Sequence, residues 1–465
     1  MKAFLRNPIK KKQHLLIFVD CLIVFAVLVI SYVLRIIIWE EWSITSLTGR
    51  LSWSVFFVVL LHVFCFYIFQ LYDIEAKRKR ANLLLWIMVS VLMASGLISI
   101  LSHIFPAYQL GRVLLSIYVP LLTTAIFVWR IIFPSVVLET RLKKNLLLIG
   151  PNSLVSETIG GLKNYTKTEY NIIGVFYDHK KKPSFTKLNG SQFNQALEQL
   201  VQEENIKTVV VAGRANEISS LEKQLLSLKF QGIDVFDYPT FYMNLTGKIP
   251  VFYISDAWVI FSGQNKTFKP PLYTNLKKIL DVIFAVIGIL LSIPLILITA
   301  IIIKLTSKGP IIYQQERVGL NKKKFILFKL RTMKDNAEVA TGPVWAKEND
   351  GRVTMFGKIL RKSRIDEIPQ LLNVLKGDLS FIGPRPIRKC FEDESAKSIP
   401  FYEIRHVVQP GITGWAQVKN INPRNENGPL ERLQYDLFYI QNQSLFLDAF
   451  IILKTIQTVL FKHGQ

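Results

Sequence analysis

The chain opens with long apolar blocks separated by short polar breaks. Four of them occupy residues 14–38, 51–72, 83–105 and 113–137. Each is long enough for the roughly 20 residues a helix needs to cross the hydrocarbon core of a bilayer. The breaks differ in charge. Arg6, Lys10, Lys11 and Lys12 precede the first block, Lys77, Arg78, Lys79 and Arg80 separate the second from the third, and Arg141, Lys143 and Lys144 follow the fourth, whereas the connections 40–50 and 106–112 carry little positive charge. Basic loops stay on the cytoplasmic side, so residues 1–143 are predicted to form a four-helix transmembrane bundle with both ends inside. Trp39, Trp42, Trp53 and Tyr108 stand where interface aromatics belong. The first block is too long for a signal-peptide core and lacks a small-residue cleavage site, so it reads as a retained span.

From residue 144 the pattern shortens. Segments 145–150, 171–177, 207–212 and 233–238 read as short buried strands, with more polar helical stretches such as 192–204 and 218–230 between them. This alternation predicts a parallel, doubly wound α/β layer over 144–268, a Rossmann-like (CoA-binding-like) domain. Its first strand ends in Gly150-Pro151-Asn152-Ser153, where a dinucleotide fold carries G-x-G-x-x-G. Only Gly150 matches, and Pro151 removes a backbone donor from the would-be phosphate cradle. A nucleotide-sensing module and a structural or dimerising one both stay open.

After Lys269-Pro270-Pro271 comes one more apolar run, 279–303, bracketed by Lys277 and Lys278 before it and Lys304 and Lys308 after it. Both ends are equally basic, unlike those of a simple span. Four crossings also return the chain to the cytoplasm, so a fifth would put the basic C-terminal segment outside. Pro294 lies near the centre of the run, close behind Gly288 and Ser292, and a proline there kinks a helix. Ser292 is placed to satisfy a freed carbonyl. Residues 277–305 are therefore expected to form a re-entrant helix that enters the inner leaflet, bends and returns; an ordinary kinked span is the alternative. It would open a mainly α C-terminal domain, 269–465.

Length and charge narrow the function. The 465 residues amount to roughly three domains. Half the residues are apolar, and a formal charge of +23 points to a polyanionic partner. The membrane-length blocks direct that charge to anionic lipid and phosphorylated substrates rather than nucleic acid, for which no signature is present. Cys21, Cys65 and Cys390 imply no disulfide framework and read as packing residues, and no zinc spacing occurs.

Candidate chemistry is densest at 360–386, LRKSRIDEIPQLLNVLKGDLSFIGPRP. Asp366 and Glu367 are adjacent carboxylates before Pro369, which alone would describe a well-capped helix start. The surroundings argue for more. Arg361 and Arg364 precede the pair, Arg385 sits in a rigid Gly-Pro-Arg-Pro turn, and Lys329, Arg331 and Arg317 lie in FKLRTM and QERVG. Fixed guanidiniums suit bidentate phosphate binding, and magnesium takes one or two carboxylates plus phosphate oxygens.

These segments resemble the bacterial sugar transferase family, the monotopic polyprenyl-phosphate hexose-1-phosphate transferases that start capsule, exopolysaccharide and O-antigen synthesis. The matching stretches are LSIPLILITAIIIKLTSKGPIIYQQERVG, FILFKLRTM, the 360–386 run, PGITGWAQV at 410–418 and YDLFYIQNQSLFLDAFIILKT at 435–455, in the family's order. The whole chain resembles the long form, with four spans and a Rossmann-like module ahead of the catalytic domain. One departure is Ile293, which separates Ser292 from Pro294 where the family often has Ser-Pro.

The resemblance implies that Asp366 attacks the β-phosphorus of a UDP-sugar, expelling UMP and forming an acyl-phosphate. Polyprenyl (undecaprenyl) phosphate would then take the phosphosugar from it. A carboxylate is ionised at neutral pH without help and makes a labile anhydride. Glu367 would hold Mg²⁺, and Arg385 a phosphate, with Arg331, Lys329, Arg361 and Arg364 as further phosphate ligands. The expected setting is the cytoplasmic face of a bacterial inner membrane, among its lipids, with a homodimer through the bundle and Rossmann-like module; glucose and galactose lead the candidate sugars.

Other features read more plainly. Lys322–Lys324 reads as a solvated turn, His406 as structural, and Trp415 as sugar contact, interface anchor or packing. The apolar groups over 433–460 recur at helical spacing with Asp436, Gln441, Asp448 and Lys454, which suits a helix on the membrane surface. Two rival classes are a binding or regulatory protein with a dead transferase domain, and a flippase. The intact carboxylate pair with Arg385 counts against the first. Against the second, the spans carry few internal charges, Arg35 and Arg130 lying near ends.

Overall fold

The computed structural model describes residues 8–39, 53–72, 80–104, 112–134, 144–150, 170–176, 197, 199–212, 222–261, 271–334, 337, 342, 350–419 and 427–461. Trp42, Tyr108, the loop cations Arg6, Lys77, Arg78, Lys79, Arg141 and Lys143, and Pro151-Asn152-Ser153 lie outside the described residues. The chain divides into two compact units, residues 2–144 with 166–171 and the remainder.

In the first unit the apolar blocks fold as four helices, α1 (Pro8–Trp39), α2 (Trp53–Ile68), α3 (Arg80–Ile104) and α4 (Arg112–Phe133). Helix α1 lies against α2 and α4, and α3 against the same two. Val24, Val58, Val91 and Leu122 are buried between them, while Phe18, Leu22, Phe56 and Ile100 stand exposed. Helices apolar on both the packed and the outer face are built for lipid. Segments 13–38, 80–101 and 113–133 are long and apolar enough to cross a bilayer; the apolar stretch of α2, 55–68, is shorter.

The bundle is more polar inside than its sequence suggested. Asp20 and Arg130 are buried and form a two-toothed ion pair at 2.7 and 3.2 Å. The Arg130 guanidinium also lies 5.3 Å from the centre of the Tyr72 ring. Arg130 does lie in the last turn of α4, but there it is a buried strut to α1, and Asp20 escaped notice among apolar neighbours. His62, also buried, is bonded to the Val58 carbonyl at 2.9 Å and meets the Tyr118 hydroxyl at 3.5 Å.

The second unit begins with a four-stranded sheet of order β2-β1-β3-β4, from β1 (Lys144–Gly150), β2 (Tyr170–Phe176), β3 (Ile206–Val211) and β4 (Asp234–Asp237). Strands β1, β3 and β4 are parallel. Leu147, Ile149, Val209 and Val211 form its core with Leu197, Val201 and Leu228, the last on α5 (Glu222–Phe230). Near-continuous apolar strands covered by helices are what a parallel sheet requires. Gly150 has a packing reason, since a Cβ there would meet the Ala212 carbonyl oxygen at 2.0 Å.

Helices α6 (Tyr238–Thr246) and α7 (Asp256–Phe261) follow. The turn after α6 is fastened to the C-terminal region. The buried Trp415 indole donates to the Gly247 carbonyl at 3.0 Å, Lys248 pairs with Glu431 at 2.5 Å, and the Ile249 amide donates to the Gln434 carbonyl at 3.0 Å. Of the roles open to Trp415, packing is the one its contacts describe.

Helix α8 (Pro271–Thr306) is continuous through Pro294. Ser292 Oγ bonds the Ile289 carbonyl at 3.1 Å, one residue before the carbonyl that Pro294 deprives of a donor. After it come the hairpin β5 (Ile312–Val318)–β6 (Lys324–Leu330), α9 (Met355–Lys362), a 3₁₀ turn Ile365–Glu367, α10 (Gln370–Lys376), β7 (Ser380–Ile382), α11 (Lys389–Ser398), a 3₁₀ turn Tyr402–Val407, β8 (Gly411–Thr413), the single turn α12 (Trp415–Val418), α13 (Gly428–Asn442) and α14 (Leu445–Phe461). The run 433–460 is therefore two helices, not one. Its acidic residues face inward: buried Asp436 pairs with Arg405 at 2.9 Å, and buried Asp448 accepts from Tyr273, Tyr439 and Lys277. Charged partners on other elements turned a nominal surface face into an anchored one.

Candidate active site

Three local devices bring the carboxylate pair into place. Thr354 caps α9 by accepting the Gly357 amide at 2.9 Å, the geometry that satisfies an orphan donor at a helix start. Gly357 lets α9 press against the preceding chain, since a Cβ there would lie 2.1 Å from the Thr332 carbonyl oxygen. Arg364 then takes φ of 60°, a left-handed conformation uncommon for a side-chain-bearing residue. That reversal turns the chain into the 3₁₀ turn holding Asp366 and Glu367, and Pro369 leads into α10. The expected helix start is thus a 3₁₀ turn first.

Asn373 supplies the register. From α10 its side chain donates to the Ile326 carbonyl at 2.7 Å and accepts the Phe328 amide at 3.1 Å. This fixes β6 beside α10 and sets Lys329 against Glu367, Nζ to Oε1 at 3.0 Å. Nothing in the sequence distinguished Asn373 from a surface helix residue.

The Gly-Pro-Arg-Pro turn completes the enclosure. Gly383 donates to the Thr413 carbonyl and Gly411 to the Pro384 carbonyl, both at 2.9 Å. A Cβ on Gly383 would meet the Gln409 carbonyl oxygen at 2.3 Å, so only glycine fits. Buried Arg405 donates to the Arg385 carbonyl at 2.9 Å. The turn so held directs Arg385 Nη2 to Glu367 Oε1 at 3.0 Å, and Arg364 Nη1 approaches the same oxygen at 3.7 Å.

The two neighbouring carboxylates are treated oppositely. Burial alone would raise Glu367, but Lys329, Arg385 and Arg364 outweigh it and hold the carboxyl well below its usual range. Burial raises Asp366 above the ordinary aspartate value, reinforced by the charge of Glu367 and opposed by Lys329, Arg361 and Arg364. Asp366 Oδ1 is buried and has no hydrogen-bond partner. Divergent environments for paired acids mark different roles. Here Glu367 is a clamped anion, and Asp366 carries an unengaged oxygen in a field of cations.

Of the remaining sequence candidates, Arg361 stays close to Asp366 and donates to Thr332 Oγ1 at 2.8 Å. Arg331 does not join the pair. It is buried and turned to Ser307, donating to its carbonyl and hydroxyl at 2.8 and 2.9 Å. His406 Nδ1 donates to the Gly319 carbonyl and the ring pairs with Glu392, which agrees with a structural role. Lys322 and Lys324 make exposed pairs with Glu403 and Glu316. Cys390 is exposed, not packed.

Among the described residues no group of three or more His, Cys, Asp and Glu could enclose a metal. The pair still fits magnesium in the manner of phosphate sites, where one or two carboxylates hold an ion whose shell the substrate completes. All three cations reach Glu367 through Oε1, and Asp366 Oδ1 is unpartnered.

An apolar, membrane-type chain that sets a carboxylate pair among fixed cations defines a membrane protein with a donor set suited to phosphate esters. Residues 272–462 match the family model described as bacterial sugar transferase. The chain is 40% identical over 243 residues to the UDP-N-acetylgalactosamine-undecaprenyl-phosphate N-acetylgalactosaminephosphotransferase of Aeromonas hydrophila, covering 52% of this chain and 56% of that protein. It is 43% identical over 189 residues to the UDP-glucose:undecaprenyl-phosphate glucose-1-phosphate transferase of Caulobacter vibrioides, covering 40% and 69%. To the protein of that name in Escherichia coli it is 36% identical over 231 residues, covering 48% and 47%. The chain thus spans about half the length of most of the curated relatives it matches. It belongs to the bacterial sugar transferase family.

Proposed function

We propose that this protein transfers a hexose-1-phosphate from a UDP-sugar to undecaprenyl phosphate, releasing UMP, as a first membrane step of a surface polysaccharide. The observation that carries the reading is the unpartnered, buried Asp366 Oδ1 beside a clamped Glu367. Asp366 attacks the β-phosphorus; the bond to the bridging oxygen breaks, its electrons leave with UMP, and the phosphosugar rests on the carboxylate as an acyl-phosphate. The lipid phosphate then attacks that phosphorus and frees Asp366. A carboxylate nucleophile in its ionised form needs no general base for the first step. Arg385 and Lys329, both paired with Glu367 Oε1, would neutralise the diphosphate, and Mg²⁺, for which Glu367 is the ligand, would supply Lewis-acid charge neutralisation when bound.

The same reading sets the three parts as a bundle (1–143), a Rossmann-like domain (144–268) and a catalytic domain (269–465) on the cytoplasmic face of the inner membrane. A re-entrant α8 is supported by its contacts. Tyr273, Lys277 and Asp281 in its first half, and Ile303 with the following Ser307, all touch the same compact unit. Glucose is the first sugar to test, given the names of several relatives, and N-acetylgalactosamine the second.

Detergent-solubilised protein given UDP-glucose and undecaprenyl phosphate should release UMP. Asp366→Asn should lower that rate by roughly 10⁴-fold or more, the scale of losing a nucleophile, and leave no trappable phosphosugar adduct. Full activity in the variant would refute the covalent scheme.

A further inference from the structure

The hairpin beside the carboxylate pair carries a cation whose placement the clamp on Glu367 does not explain. Side chains alternate along a strand, so Tyr313, Gln315 and Arg317 share one face of β5. The pairing Tyr313↔Lys329 puts Lys329 on that face as well. The three residues form a ladder: Gln315 Nε2 donates to the Tyr313 hydroxyl at 2.7 Å, and Arg317 donates to Gln315 Oε1. At its far end Arg317 Nη1 reaches the Pro386 carbonyl at 3.4 Å, beside Arg385.

Arg317 thus stands among like charges. Its half-buried guanidinium is pushed down to about 9, first by burial and then by Arg385 and Arg388. Its Nε is buried without a hydrogen-bond partner. Glu367, the carboxylate nearest Arg385, is engaged by Lys329, Arg385 and Arg364, and no ion pair joins it to Arg317. Guanidiniums held together with an unspent donor are costly unless an anion lies between them.

The chemistry of the first transfer supplies that anion. While it is part of the diphosphate the nucleotide's α-phosphate carries one negative charge; as the bond to the β-phosphorus breaks, the bridging oxygen keeps the electron pair and the group becomes a dianion. Donors fixed where charge develops bind the transition state and the departing product better than the ground state. We propose that Arg317 and Arg388, flanking Arg385, form the subsite for the leaving nucleoside monophosphate, distinct from the Glu367 clamp at the transferred phosphate. This rests on the transfer reaction proposed above.

The test uses the full-length protein without lipid acceptor, following exchange of labelled UMP into UDP-sugar, which reports the first half-reaction alone. In Arg317→Gln and Arg388→Gln the UMP concentration for half-maximal exchange should rise about 10-fold or more, the scale of losing a charge-assisted contact. Arg317→Lys should recover part of it, and the KM for polyprenyl phosphate in the full reaction should stay near the parent value. A merely structural Arg317, bracing the Pro386 carbonyl, would lower the maximal rate in both half-reactions and leave UMP saturation unchanged, which would overturn the proposal. If the parent protein exchanges with no UDP-sugar, the transfer reading fails instead. Equilibrium binding of UMP to parent and Arg317→Gln then decides the subsite: equal affinity overturns it, weaker binding in the variant supports it.

Discussion

Asp366 and Glu367 are chain neighbours with opposite titration behaviour, and the difference predicts an order of events on acidification. Glu367, depressed by Lys329, Arg385 and Arg364 against its burial, lends stability that is complete above the usual glutamate value of about 4.3 and is lost only as pH falls through the depressed one. Asp366, raised by burial, protonates first. The acid limb of the UMP-release profile should therefore lie above the ordinary aspartate value and be reversible, with no loss of thermal stability over the same interval. Lys329 favours the ionised Asp366, so Lys329→Met should move that limb to higher pH; a limb unmoved or moved down would break the assignment. The sequence displayed the pair and most of its cations because those residues are dense and locally ordered. It hid Asn373, Arg405 and Asp436, whose work is done across 45, 20 and 31 residues of separation. It also gave no sign that Arg331, close to Lys329 in sequence, donates to Ser307.

Among elements, apolar periodicity gave the strands of the first sheet to within one residue at each end, because each is a short apolar run set off in the sequence from more polar stretches. The same criterion misjudged 433–460, where the break at Gln443-Ser444 carries neither Pro nor Gly and the buried aspartates look like solvent-facing ones. Helix α8 tests the approach hardest. Its 36 residues would extend about 54 Å if straight, well beyond the roughly 30 Å core of a bilayer. Yet Lys277 reaches Asp448 at 3.2 Å near one end, and Ser307 accepts from Arg331 just past the other. The surface between is apolar and open, Leu291 being 76% and Ile301 61% exposed. The proposed dip into one leaflet and a full crossing predict opposite sides for the residues just after the helix. A cysteine at Lys308 in a background without reactive cysteines should be modified in inverted inner-membrane vesicles and protected in intact spheroplasts from an impermeant reagent. Labelling in spheroplasts would mean that α8 crosses.

For the molecule as a whole, the first unit raises the question of why an anchor keeps a buried ion pair. Charges within a membrane segment are costly and need their partners. Asp20 and Arg130 sit 110 residues apart in sequence, on α1 and α4, and meet with both side chains almost wholly enclosed, which fixes how the first and last helices of the bundle pair. Removing one partner strands the other. Asp20→Asn and Arg130→Gln should each cost about 3–5 kcal/mol, the penalty of an uncompensated buried charge, and lower the melting temperature in detergent. The double variant should be less impaired than the sum of the two, because it buries no lone charge. The carboxylate site lies in the other compact unit. UMP exchange below the melting transition should therefore keep its parental rate in all three variants, separating a loss of bundle stability from a loss of chemistry. Additive single effects would show that the pair is not coupled, and a parallel loss of exchange would show that the bundle takes part in catalysis.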